Sequence, residues 1–238
     1  MKFLRIVLLV FLFFAAQSAF AAKPKLMDLR HGDYEIITHK AKGKKPYPLL
    51  VVVPAKDYTI TGELFEEIAT AAASNGFFVV RFNWGFVTNK DEPSKDLSTE
   101  ANDLKTVIDY FSQQKDVDSK KIFVVSKSFG SRVVMKQAYD KSQGVALLTP
   151  NCSAKEPFNK TYASLFKGKK PVHLVISKDD PYCDVNQIYK AMGSLDKKNV
   201  TVFTLFGDHH FITSGGKQDL NKTLAVESVV NWLLQQKH

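Results

Sequence analysis

"KIFVVSKSFGSRVVMKQAYDK", residues 121–141, changes character halfway along. Its first six residues, 121–126, centre on the apolar run Ile122-Phe123-Val124-Val125, largely β-branched as suits a strand, and the stretch from Phe129 to Lys141 reads as a helix. Between them lies a small, tight Ser126-x-Ser128-x-Gly130 turn. A strand that runs straight into a helix through so short a turn is a building unit of an α/β fold. It would leave Ser128 at the strand's carboxyl end.

Working outward, the same alternation repeats. Residues 34–39 alternate like a half-buried strand, and 48–55 (PLLVVVPA) form a continuous apolar run, as in a strand covered on both faces. Residues 64–76 read as a helix stopped by Asn75-Gly76, and 77–84 as a second buried strand. In 100–114, Leu104, Val107, Ile108 and Phe111 recur at i, i+3, i+4, i+7, one apolar helix face. Strands are predicted at 144–150, 171–177 and 199–206, and helices at 184–195 and 220–236. The expected fold class is α/β, a mostly parallel sheet with helices on both faces. Such sheets place their sites at the carboxyl ends of the strands.

The N-terminus is read separately. Lys2 and Arg5 precede an apolar run from Ile6 to about Ala16, followed by Ala19-Phe20-Ala21. That is the layout of a secretory signal peptide, with a cut expected after Ala21, and the run is shorter than the ~20 residues of a membrane span. The expected organisation is a signal peptide, 1–21, and one domain, 22–238, secreted or periplasmic, with no stable membrane span after cleavage. Without Lys2 and Arg5 the formal charge falls from +9 to +7. The lysines are scattered and no arginine- and aromatic-rich cluster accompanies them, so a solvated basic surface is expected and no nucleic-acid partner. Export permits a disulfide between the two cysteines, Cys152 and Cys183.

Three strand ends carry reactive side chains: Ser128 after 121–126, Asp179 and Asp180 after 171–177, and Asp208, His209 and His210 after 199–206. The chain order serine, acid, histidine is that of a hydrolase whose serine stands on a strand-to-helix elbow. On "VVRFNW" (79–84), "SKSFGSR" (126–132), "LVISKDDPY" (174–182) and "GDHHF" (207–211), the chain resembles the α/β-hydrolase superfamily. It is similar to the dienelactone-hydrolase-like branch and, within it, to the group that includes the NSL-complex regulatory subunit.

The resemblance implies a minimal α/β-hydrolase fold without a cap domain. It assigns Ser128 as nucleophile, Asp180 as acid and His209 as base. Asp179 and His210 remain the alternatives; Asp180 precedes proline as the family's acid does, and His209 aligns with the family's Gly-Asp-His-Ser-Phe ending. Ser126 departs from the glycine usual two places before the nucleophile, while Gly130 keeps the second glycine. The oxyanion hole should use the N–H of Phe129 and a second one at Ala55 or Lys56, although "PAKDY" lacks the histidine-glycine turn of many relatives.

Acyl transfer of this kind implies no cofactor, and the spacing of the acids and histidines matches no recognised metal pattern, so no metal is expected. If the strands ending near Cys152 and Cys183 are neighbours, a disulfide would pin the acid loop. With about 20 residues between "LLTP" and "KPVHL" there is room for a short lid at most. The expected substrate is therefore a small-molecule or surface-presented acyl compound. Two functions stay open: a serine hydrolase cleaving an ester or related acyl bond, or a catalytically silent α/β-hydrolase scaffold used for binding.

Overall fold

The structure is a computed structural model that describes residues 23–29, 33–153, 155–193, 199–213 and 219–237. The expected signal peptide, 1–21, lies outside the described residues. Eight strands form one sheet: β1 (Lys25–Asp28), β2 (Asp33–His39), β3 (Tyr47–Val53), β4 (Phe78–Phe82), β5 (Val117–Lys127), β6 (Gly144–Leu148), β7 (Val172–Ser177) and β8 (Val200–Leu205). Their order is β1-β2-β4-β3-β5-β6-β7-β8. The pairs β1–β2 and β2–β4 are antiparallel, and every pair from β4 through β3 to β8 is parallel.

The continuous apolar runs have a simple origin. Successive strand residues point to opposite faces, and here both faces are packed. Leu49, Val51, Val53, Val124, Val145, Leu147, Leu174 and Ile176 belong to one core cluster, which also receives Leu104, Val107, Ile108 and Phe111 of α3 (Ser98–Ser112). Val133 and Val134 of α4 (Phe129–Gln137) and Ile188 of α6 (Val185–Met192) join it. Leu50, Val52, Phe123, Val125, Ala146, Leu148 and Val175 face the other way. They meet Leu64, Phe65, Ile68 and Ala72 of α1 (Glu63–Ser74), and Val226, Val229, Val230 and Leu233 of α7 (Asp219–Gln236).

Several elements differ from expectation. β5 starts at Val117, ahead of the predicted 121, because Val117 and Asp118 pair with Tyr47 and Pro48 before a register shift absorbs the polar residues that follow. The helix predicted to reach 141 stops at Gln137, and a 3₁₀ turn, Tyr139–Lys141, buries Tyr139 instead. β1 is too short and exposed to leave an alternating pattern, and α2 (Gly85–Asn89) and α5 (Phe158–Thr161) are likewise unforeseen single turns. Between β6 and β7 the chain carries α5 and a 3₁₀ turn, Ala163–Phe166, whose Phe158, Tyr162 and Leu165 are buried. That segment is packed against the body and does not form a separate cap.

Candidate active site

At the end of β5 the backbone turns sharply. Ser128 has φ 51° and ψ −118°, a conformation few side chains adopt, and its carbonyl accepts the N–H of Ser131 as α4 begins. Gly130 lets this turn approach the sheet. A Cβ there would lie 2.4 Å from the Pro54 carbonyl oxygen and 3.0 Å from Val53 Cγ1, so no larger residue fits. Ser126 is accommodated differently. Fully buried, it exchanges a 3.1 Å hydrogen bond with the hydroxyl of Ser131, joining strand to helix.

The β8–α7 turn presents His209. Gly207, at φ 107°, permits the bend; a Cβ would come within 2.7 Å of the Ile212 carbonyl oxygen. The Asp208 carboxylate accepts the N–H groups of His210 and Ile212, and the Asn221 amide donates to the carbonyls of Phe206 and Phe211. On this braced turn His209 is buried, and its Nδ1 lies 2.8 Å and 3.0 Å from the two carboxylate oxygens of Asp180. A carboxylate only accepts, so Nδ1 carries the proton and Nε2 of the neutral ring is the acceptor.

The two adjacent acids part company. Asp180 is buried and also accepts the N–H of Tyr182, whereas the Asp179 side chain is exposed. The two histidines part in the same way. His210 is exposed and its Nδ1 is 2.9 Å from the Tyr58 hydroxyl. Partial desolvation where its ring leans on the cleft wall, followed by the charges of Lys127 and His209, holds His210 below the usual histidine range.

Ser128, Phe129, Ala55, Lys56, His209 and His210 line one cleft of about 190 Å³, together with Tyr58, Tyr182 and Asn151. Larger hollows of about 560, 520 and 400 Å³ lie elsewhere on the surface; the first two contain no histidine, and the third is lined by His173 but by no serine-bearing strand-to-helix turn. Phe129 is the first residue of α4, so its N–H belongs to the first turn, where donors lack intrahelical acceptors. Ser128 is 8% exposed, and its hydroxyl makes no hydrogen bond to either imidazole among the described residues. Cys152 and Cys183 are joined in a disulfide, and the Cys152 N–H donates to the Tyr182 carbonyl, so the segment after Asp180 is tied to the end of β6.

Residues 59–234 match the family described as the alpha/beta hydrolase domain. The chain belongs to the alpha/beta hydrolase family.

Solved structures agree on the fold. An alpha-beta serine hydrolase homologue from Coxiella burnetii superposes with a TM-score of 0.69 at 22% identity, over 89% of this chain and 99% of that one. Esterase 2 from Thermogutta terrifontis, in a form phosphonylated by cyclosarin, gives 0.69 at 14% identity, over 90% and 94%. Est1E from Butyrivibrio proteoclasticus with ferulic acid bound gives 0.68 at 15% identity, over 89% and 98%. No curated protein matches the chain.

Within this alpha/beta hydrolase, the residues that brace the cleft were not foreseen. Arg81 donates to the Ile60 carbonyl at 2.7 Å and pairs with Glu66, and the Asn83 side chain accepts the Ile60 N–H at 2.7 Å. Trp84 Nε1 donates to the Pro54 carbonyl at 3.2 Å. Three residues of "VVRFNW" thus hold the β3–α1 loop that carries Ala55 and Lys56. Across the cleft, Lys127 and Thr149 hold the His209 turn. For Arg81 a signal was available, a charge in the middle of an apolar strand: a buried arginine implies a buried acceptor to satisfy.

Proposed function

We propose that the chain is an exported serine hydrolase that cleaves an ester or related acyl bond through an acyl-enzyme, with Ser128, His209 and Asp180 as its catalytic residues. The observation that carries this reading is the buried Asp180–His209 pair, opening on a cleft that also receives Ser128 from its strained turn. A serine hydroxyl attacks an acyl carbon only when a base takes its proton. His209 Nε2 accepts that proton, and Asp180 stabilises the imidazolium and holds its tautomer. The proton passes to the leaving group, and a water activated by the same nitrogen then releases the acyl group from Ser128.

The N–H groups of Phe129 and of Ala55 or Lys56 receive the developing oxyanion, at a value of roughly 3–4 kcal/mol of barrier per preorganised donor. Ser128 Oγ moves into hydrogen-bond reach of His209 as substrate binds, since such bonds commonly tighten only in the substrate complex. The signal-peptide layout and the disulfide support export. The motifs in "VVRFNW", "SKSFGSR" and "GDHHF" support the dienelactone-hydrolase-like branch and the NSL-regulatory-subunit-like group within it. The 190 Å³ cleft suits a small or surface-presented acyl group.

The second reading, a silent binding scaffold, draws on two observations: the absent Ser128–imidazole hydrogen bond and the departure of "PAKDY" from the usual oxyanion turn. A fluorophosphonate probe separates the two. The Thermogutta esterase is phosphonylated by cyclosarin and phosphorylated by paraoxon, so a phosphonate is a suitable electrophile. Wild-type protein is expected to label and Ser128→Ala to stay unlabelled. A folded wild type that fails to react would favour the scaffold.

A further inference from the structure

Acyl transfer as described gives no part to Lys127, a buried lysine next to the nucleophile. Lys127 is the middle residue of Ser126-Lys127-Ser128. Strand alternation sends it away from α4, to the face packed by α1 and α7. It is fully buried. Its Nζ donates to the backbone carbonyl of His209 at 2.5 Å and to the hydroxyl of Thr149, over the rings of Phe211 (5.1 Å) and Tyr58 (5.6 Å).

We propose that Lys127 is a positioning residue that fixes the His209 carbonyl, and through it the imidazole, against Asp180. The inference rests on the reading of His209 as the base. Two lines of argument converge on it. The first is geometric. Among the described residues, the hydrogen bonds to the His209 carbonyl come from Lys127 and, at 3.3 Å, from Thr149. The peptide plane between His209 and His210 is held at its N–H edge by Asp208, and Asn221 secures Phe211 beyond it; Lys127 and Thr149 hold its carbonyl edge.

The second is energetic. Burying an amine whose direct partners are neutral is costly, and an apolar side chain of the same length would relieve that cost. Burial, only partly opposed by the charged groups facing it, Asp180 on the β7–α6 loop and Asp208 on the histidine turn, leaves the Lys127 amine lowered to about 7. His209, His210 and Tyr58 are the other titratable groups at this face. Lys127 and Ser128 are adjacent, so the strand end that delivers the nucleophile also sets the height of the base. A displacement of about 1 Å at such a group can cost on the order of a hundredfold in rate.

The test uses the full chain and Lys127→Met, which keeps the stem and removes the donor. Expected are a 10- to 100-fold lower kcat toward a small ester, KM within twofold, and a melting temperature equal to or above wild type. Proton NMR should show the His209 Nδ1–H signal, identified by its loss in His209→Ala, broadened or moved while the His173 signals stay in place. Wild-type kcat with an unmoved His209 signal overturns the proposal, and so does a parallel fall in stability and KM with that signal unmoved. Should Lys127→Met fail to fold, Thr149→Val carries the test, with the same signature at a smaller fall of about threefold. Ser128→Ala measured alongside keeps the two readings apart. If wild type neither hydrolyses nor labels, the hydrolase reading fails by itself, and the His209 signal alone decides for or against Lys127.

Discussion

His209 and His173 are equally buried, each 6% exposed, yet they belong to different chemistry. His173 is the second residue of β7, at the opposite end of that strand from the cleft. Its Nδ1 meets the Thr201 hydroxyl and its Nε2 the Ser228 hydroxyl, both at 2.7 Å, and its ring stacks on Trp232. Both nitrogens are occupied and no carboxylate is among these partners, so burial alone pushes its pKa down to about 4. His209 has a carboxylate on Nδ1, a Tyr182 ring edge-on at 4.7 Å, and no hydrogen bond on Nε2 among the described residues. The contrast teaches that burial does not make a histidine a base. A carboxylate on one nitrogen and an unoccupied second nitrogen at a cleft are what the base role proposed for His209 requires.

The sharpest way to break this comparison is to remove each ring in turn. His209→Ala is expected to lower kcat by roughly 10⁴- to 10⁶-fold, whereas His173→Phe should leave it within about twofold, measured by ester turnover. Comparable losses at both positions would dissolve the distinction. The carboxylate gives the next largest effect. Asp180→Asn should cost about 10⁴-fold in kcat through the wrong tautomer, and the exposed Asp179→Asn less than about threefold; the reverse result would move the acid by one residue.

Smaller effects concern stability. The His209 side has a covalent tether that the His173 side lacks. Replacing both Cys152 and Cys183 by serine opens a loop with a sequence separation of 31. Chain-entropy reasoning gives a loss of roughly 3–4 kcal/mol, readable from urea midpoints. An unchanged midpoint would show that the acid loop is held by packing alone.

The smallest effect is the pH response of His173. Its folded pKa, about 4, lies below the ordinary histidine value of 6.5, so the unfolded chain binds more protons between those limits. Stability is therefore full above about pH 6.5 and declines as pH falls toward 4, by roughly 3 kcal/mol at most. His173→Phe should flatten that part of a stability–pH curve, and an equal slope in both proteins would remove His173 as its source.

Much of this was legible in the chain. Leu104, Val107, Ile108 and Phe111 lie on the buried face of α3, as their spacing predicts. The apolar runs of β3 and β7 are packed on both sides, because a parallel sheet leaves neither face to solvent. β1 was invisible, since four largely exposed residues paired at an edge carry no periodic signal. Lys127 was invisible as well. A lysine in a strand reads as a solvated charge, and its acceptor, the carbonyl of His209, is 82 residues away.

By itself, the sequence determined the alternation of strand and helix and the order in which serine, acid and histidine follow one another, because local backbone preference and side-chain period are written in neighbouring residues. Which of two adjacent acids turns inward, which of two adjacent histidines it meets, and which buried cations brace the loops were decided by the tertiary structure. Those outcomes depend on groups distant in the chain becoming the nearest partners once water is excluded, and no local pattern encodes that distance.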